Sequence, residues 1–208
     1  MTTNTDAIVR PVVSKQFCST SKTAFLVRKR PCAVNGGGFV VTDCGGNEVF
    51  RVEGCGLMVK HQAVLKDGEG KPILTLKRKV GVVEVFSFHK QWQGFVRDEI
   101  DGVEKPIFKV TASTLSCSEK NPIKVSLTNS SNHRKRLEYE IVGSFTERAC
   151  GIYADSNFIV AEVKMNDAIT DVMGSIKDIY SVVVQPGVDQ AFVFGLVAVL
   201  DKLNGEDS

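Results

Sequence analysis

The chain has 208 residues, 43% of them hydrophobic, which is enough apolar material for a substantial core without disulfide or metal staples. Its 26 basic and 24 acidic residues leave a formal charge of +2, well short of the strong excess that marks a nucleic-acid binder. Nucleic acid is therefore disfavoured, and an anionic partner would have to be met by local patches.

The first residues, MTTNTDAIVRPVV, hold no apolar signal core and no glycine at position 2 for myristoylation, and the last four, GEDS, offer no prenylation cysteine. The expected address is the cytoplasm, at a membrane surface or in the nucleus. Cysteines at 18, 32, 44, 55, 117 and 150 form no C-x-x-C pair and have no histidines at zinc-finger spacing. They read as reduced thiols used as small hydrophobes.

From residue 38 onward the chain reads as short strands and turns. GFVVTDCGGNEVFRVEG has two β-rich runs around Asp43 to Asn47, and AVLKDGEGKPILTLKRK repeats the plan around Asp67 to Gly70. At an offset of 24 residues Asp43 aligns with Asp67, Gly46 with Gly70, and Val49, Phe50 and Val52 with Ile73, Leu74 and Leu76. A looser third copy is GFVRDEIDGVEKPIFKV. Pro72 and Pro106 are expected at strand starts, where a missing amide does least harm. Further strands are read in IKVSLT (123–128), RLEYEIVGSF (136–145), CGIYADSNFIVAEVKM (150–165) and IYSVVVQP (179–186), with 166–176 as a connector. No linker or composition shift divides the chain.

The last stretch, VVVQPGVDQAFVFGLVAVLDKLNGEDS, contains ten residues, Ala191 to Leu200, with no polar side chain. Spanning a bilayer takes roughly 20 such residues, so this run cannot cross one as a helix. Its apolar residues point all round a helix, which must then be enclosed on every side. Pro186 and Gly187 break what precedes, Asp189 can cap the first amides, and Lys202 with Gly205 suits an ending. The expectation is one buried helix from Asp189 to about Leu203, although valine and phenylalanine also suit a strand. About ten to twelve strands followed by such a helix imply a closed antiparallel barrel with the helix inside it.

Several stretches resemble the plant LURP-one-related family: FVVTDCGGNEVFRV, VLKDGEGKPILTLKRK, Trp92 with Phe95 in QWQGF, VGSFTERACGIY, and above all YSVVVQPGVDQAFVFGLVAVLD. Together they run from about residue 35 to residue 203. That family shares its fold with the C-terminal domain of tubby proteins and resembles the phospholipid scramblases. The resemblance implies a mainly β protein, a closed antiparallel barrel of about twelve strands enclosing a hydrophobic C-terminal helix. It also implies a single tubby C-terminal-like domain over 1–208, with an ordered core of about 20–204. For function it implies a link to plant pathogen defence, with two themes among relatives: phosphoinositide binding and transcriptional regulation in tubby, or calcium-linked membrane association in scramblases. A fold alone transfers neither theme.

The residues themselves point away from catalysis. The Asp43 and Asp67 loops offer at most two carboxylates each, too few for a calcium loop, and Asp and Gly there are what hairpin turns require. His61, His89 and His133 are scattered, and neither a phosphate-binding glycine loop nor a nucleophile elbow is present. No catalytic residue, cofactor or metal is expected, an enzyme with a pocket outside known motifs being the minority reading. The remaining signal is basic: Arg28-Lys29-Arg30, Lys77-Arg78-Lys79 and, beside His133, Arg134-Lys135-Arg136. Strand alternation puts Lys77 and Lys79 on one face with Arg78 opposite, and two cations on one face can clamp a phosphate. Equally, such runs can be solvated outer faces that discourage strand pairing. The sequence thus favours a non-enzymatic binding module for anionic membrane phospholipid such as phosphoinositide, linked to defence signalling. The alternative is a protein-binding regulatory scaffold, in the nucleus, with no lipid ligand.

Overall fold

A computed structural model describes residues 11–31, 37–54, 61–79, 89–98, 101–113, 122–128, 138–155, 158–166 and 177–205. After a 3-10 turn at Lys15–Phe17 come twelve strands: β1 (Thr23–Lys29), β2 (Gly38–Thr42), β3 (Glu48–Gly54), β4 (Gln62–Asp67), β5 (Pro72–Arg78), β6 (His89–Arg97), β7 (Glu104–Ser113), β8 (Ile123–Leu127), β9 (Glu138–Ser144), β10 (Ala149–Ala154), β11 (Phe158–Met165) and β12 (Ile179–Val184). A helix, α1 (Gln190–Gly205), follows. Each strand pairs with its sequence neighbours, and β1 pairs antiparallel with β12, from Thr23 opposite Val184 to Arg28 opposite Ile179. The sheet is therefore a closed barrel with no free edge.

Alternation builds the wall. Phe25 and Val27 on β1, Phe39 and Val41 on β2, Phe50 and Val52 on β3, and Leu74 and Leu76 on β5 are all buried, with more exposed residues between them. What they face is α1. Every residue from Ala191 to Leu200 is buried, as a helix apolar on all sides demands. Side chains two apart on a helix point about 200° from each other. Phe192 accordingly meets Phe108 and Tyr139 at ring distances of 5.2 and 5.0 Å, while Phe194 meets Phe25 and Phe50 on the other wall at 5.2 and 5.3 Å. The helix spans the lumen. A Cβ on Gly195 would lie 2.5 Å from Leu74 Cδ2, so glycine is what lets the helix approach β5.

The repeated hairpins carry one turn twice. Asp43 Oδ1 accepts from the amides of Gly45 and Asn47, both at 2.9 Å, and Asp67 Oδ1 from those of Glu69 and Lys71 at 3.1 and 2.8 Å. Gly46 and Gly70 supply the positive φ values, 80° and 84°. In the third copy Pro106 is the third residue of β7 rather than its first, placed opposite Phe95 where the register shifts after Gly94. A bulge tolerates a missing amide as an end does. Strand β1 was not singled out by the sequence, and α1 runs to Gly205, two residues past its expected end. Beyond Asn166 the expected 166–176 connector lies outside the described residues.

Asp189 caps α1 as expected, its Oδ1 accepting from Phe192 N at 3.1 Å. Its other oxygen does something the sequence does not announce. Oδ2 accepts from three successive amides of the N-terminal segment, Val12, Val13 and Ser14, at 3.0, 2.7 and 3.0 Å. Asp189 is 1% exposed. Burial pushes its carboxyl above the usual carboxylate range, and the amide bonds pull it back. One carboxylate thus ties the segment before β1 to the start of the helix.

Gly195→Leu should cost about 1–3 kcal/mol in a urea melt, because the enclosed helix has little room for added volume. Ending the chain at Pro186 should abolish the cooperative transition. Each large buried side chain lost contributes about 2–5 kcal/mol, and together they exceed a typical domain's net stability.

Candidate functional site: the basic rim and the outer wall

The antiparallel order sets the ends of β1 and β5 and the C-terminal turn of α1 on one rim of the barrel, and the Asp43 and Asp67 turns on the other. The runs Arg28-Lys29-Arg30 and Lys77-Arg78-Lys79 therefore share a rim. They do not share a concavity, since β2, β3 and β4 stand between them, and four strand spacings are about 19 Å along the wall. Arg134, Lys135 and Arg136 lie outside the described residues.

Within each run the three cations do different things. Lys29 follows Phe25 and Val27 on the inward face and meets Asp201 of α1 at 2.8 Å. The alignment is poor for a hydrogen bond, so this contact is an ion pair held mainly by charge. It also places a cation near the negative end of the helix dipole. Arg30 turns its Nη2 to the carbonyls of Val52 and Gly37 at 2.9 and 3.3 Å, which fixes the neighbouring strands. Arg28 alone is exposed. On β5, Lys77 pairs with Glu104 and lies 5.3 Å from the Phe95 ring centroid. Arg78 is opposite Trp92, a fully buried residue, on the face away from its two lysine neighbours, as alternation requires. Lys79 is exposed.

Arg148 was invisible to motif reading because it stands alone in TERAC. It is 5% exposed and sits at φ +53°. Its guanidinium donates to Lys177 O at 3.0 and 2.8 Å and to Phe145 O at 3.3 Å, with its carbon 4.4 and 4.0 Å from the Phe145 and Tyr180 ring centroids. All its donors aim at backbone, so its role is to fasten the rim.

The Asp43 and Asp67 carboxylates are taken up by their own turns, and the bond from the Asn47 side chain holds Asp43 below its ordinary value. Among the described residues no three His, Cys, Asp or Glu side chains are grouped to hold a metal. Cys18, Cys44 and Cys150 are free thiols, and the other three cysteines lie outside the described residues. Burial pushes the Cys150 thiol up to about 12, which leaves it inert as a nucleophile at neutral pH. The outer wall of β9 to β11 carries an open cleft of about 600 Å³ lined by Val142, Gly151, Tyr153, Ile159, Glu162 and Lys164, among others. Val142 is 43% exposed there.

Comparison with known proteins places this arrangement. The model of the LURP-one-related family matches residues 23–201, which takes in all twelve strands and most of α1. The chain belongs to the LURP-one-related family. Among its relatives, Protein LURP-one-related 6 of Arabidopsis thaliana is 39% identical over 96% of this chain and 99% of its own length. LURP-one-related 16 of the same plant is 36% identical over 96% and 95%. An X-ray structure of an Arabidopsis thaliana protein superposes with a TM-score of 0.63 at 27% identity, covering 93% of this chain and 98% of that one. No described helix of this LURP-one-related chain is long and apolar enough to cross a membrane.

Burial also pushes the Tyr139 phenol up to about 12 from 10.0, as it does the Cys150 thiol from 9.0. The fold favours the neutral form of both, so the unfolded chain loses these protons first and stability falls with rising pH. Urea melts should show full stability below pH 9 and a progressive loss from there toward about 12. Cys150→Ala should flatten the early part of that decline.

Proposed function

We propose that this chain is a non-enzymatic binding module whose ligand is anionic membrane phospholipid, acting in plant defence signalling. The observation that carries the reading is the filled lumen. Phe192, Phe194 and their neighbours on α1 occupy the space where other barrels take a small ligand, so a partner must be met on the outside. On the outside the exposed chemistry of the sequence-identified runs is cationic, in Arg28 and Lys79. Likeness to tubby and scramblase proteins supports the lipid, and the LURP-one-related family's link to pathogen defence supports the signalling context. The setting is the cytoplasmic face of a membrane, reached without a span.

A second reading has its own observation. The β9–β11 cleft with its exposed Val142 suits an apolar side chain of a protein partner, which supports a regulatory scaffold, in the cytoplasm or the nucleus, that needs no lipid.

Vesicle flotation separates the two. Phosphatidylcholine vesicles containing phosphatidylinositol bisphosphate should carry the protein up the gradient at low salt, and pure phosphatidylcholine should not. Raising salt toward 1 M shrinks the Debye length from roughly 10 to 3 Å and should release it. No flotation with anionic vesicles even at low salt would sink the lipid reading and leave the scaffold.

A further inference from the structure

The strand register assembles a basic surface that no run in the sequence shows. On β5 to β8 the outward residues form two rows. Lys77 is opposite Gln93, Gln93 opposite Lys109, and Lys109 opposite Ser126. One step toward the rim, Lys79 N donates to Gln91 O at 2.9 Å, Gln91 is opposite Thr111, and Thr111 is opposite Lys124. Four lysines alternate with amides and hydroxyls, and no carboxylate stands among the eight. Three strand spacings make the patch about 14 Å wide. Lys109 and Lys124, 15 residues apart in sequence, are diagonal neighbours at roughly 7–8 Å.

Elsewhere several outer cations are met by acids: Arg51 by Glu48 at 2.7 Å, Lys66 by Glu53 at 2.7 Å, and Lys164 by Glu162 at 2.6 Å. Within the patch only Lys77 is so met, by Glu104. Lys79, Lys109 and Lys124 have no ion-pair partner among the described residues. Glu140, opposite Lys124 on β9, marks where the patch ends. Like charges brought together with no carboxylate among them repel one another, and a phosphate-bearing anion relieves that repulsion.

We propose that this β5–β8 wall, through Lys79, Lys109 and Lys124 with Gln91, Gln93, Thr111 and Ser126, is the face that binds phosphorylated lipid headgroups at a membrane. The proposal rests on the lipid reading above and says where on the barrel the contact is made. A closed barrel is convex outside, and a convex wall touches an extended flat surface along several strands but cannot surround a small soluble anion. The membrane is therefore the source of the phosphate, and the barrel lies on its side with the wall down.

The test uses flotation of the full chain with the same vesicles. The double variant Lys109→Glu, Lys124→Glu should lose more than tenfold in retention, while Lys22→Glu, an exposed residue just before β1, should lose far less. Both altered side chains point outward, so the barrel should still fold, with a small drop in melting temperature because Lys124→Glu faces Glu140; Lys109→Gln with Lys124→Gln avoids that repulsion and gives a milder loss of retention. If wild type floats and both double variants float equally well, the wall assignment is overturned while the lipid reading stands. If wild type does not float, both fall together. A third arm adds free inositol hexakisphosphate. Weak competition supports the membrane as source, whereas tight binding of the free compound, lost in the double variant, with no gain from vesicles, overturns it.

Discussion

A helix with no polar face sets the terms for the rest of this molecule. Ten consecutive buried residues, Ala191 to Leu200, need a wall on every side, and only a sheet that returns to its own first strand supplies one. Closure falls to β1 and β12, the strands farthest apart in sequence. Asp189 completes the arrangement by holding the N-terminal segment and the helix start with the two oxygens of one carboxylate. The segment before β1, the seam and the helix are in this way parts of one structure.

The filled lumen moves function to the surface, and the surface charges are sorted by what lies behind them. Lys29 and Arg148 are buried or half-buried at the rim, where Asp201 and the Lys177 carbonyl absorb their charge. They stabilise the end of the barrel around the C-terminal turn of the helix. Cations on the outer wall face water, and most are matched by a neighbouring carboxylate. What distinguishes the outer face of β5 to β8 is that three of its lysines, Lys79, Lys109 and Lys124, have no ion-pair partner among the described residues.

The sequence is legible where the signal is local. The Asp and Gly residues of the hairpins fix their own turns, and an unbroken apolar run announces an enclosed helix. It is less legible where the partner is remote. TAFLVRK leads straight into a basic run, and although its second half pairs with β2, Thr23 to Phe25 are paired through β12 alone, some 150 residues later. The candidate site shows the same limit more sharply. Adjacent residues of a strand face opposite ways, so Arg28-Lys29-Arg30 looks like one patch and is an exposed Arg28 beside two cations engaged within the barrel. Lys109 and Lys124 look isolated in the sequence and are neighbours in the wall, because register rather than adjacency decides what a partner meets.

If the helix and its wall are one unit, no part of the barrel can open without exposing the core. Native-state hydrogen exchange as a function of denaturant measures this directly. The amides of α1, β1 and β12 should all exchange with the free energy of global unfolding. Exchange of the α1 amides through a cheaper opening, with β1 and β12 still protected, would contradict the account, since it would mean that the helix can leave while the wall stays closed.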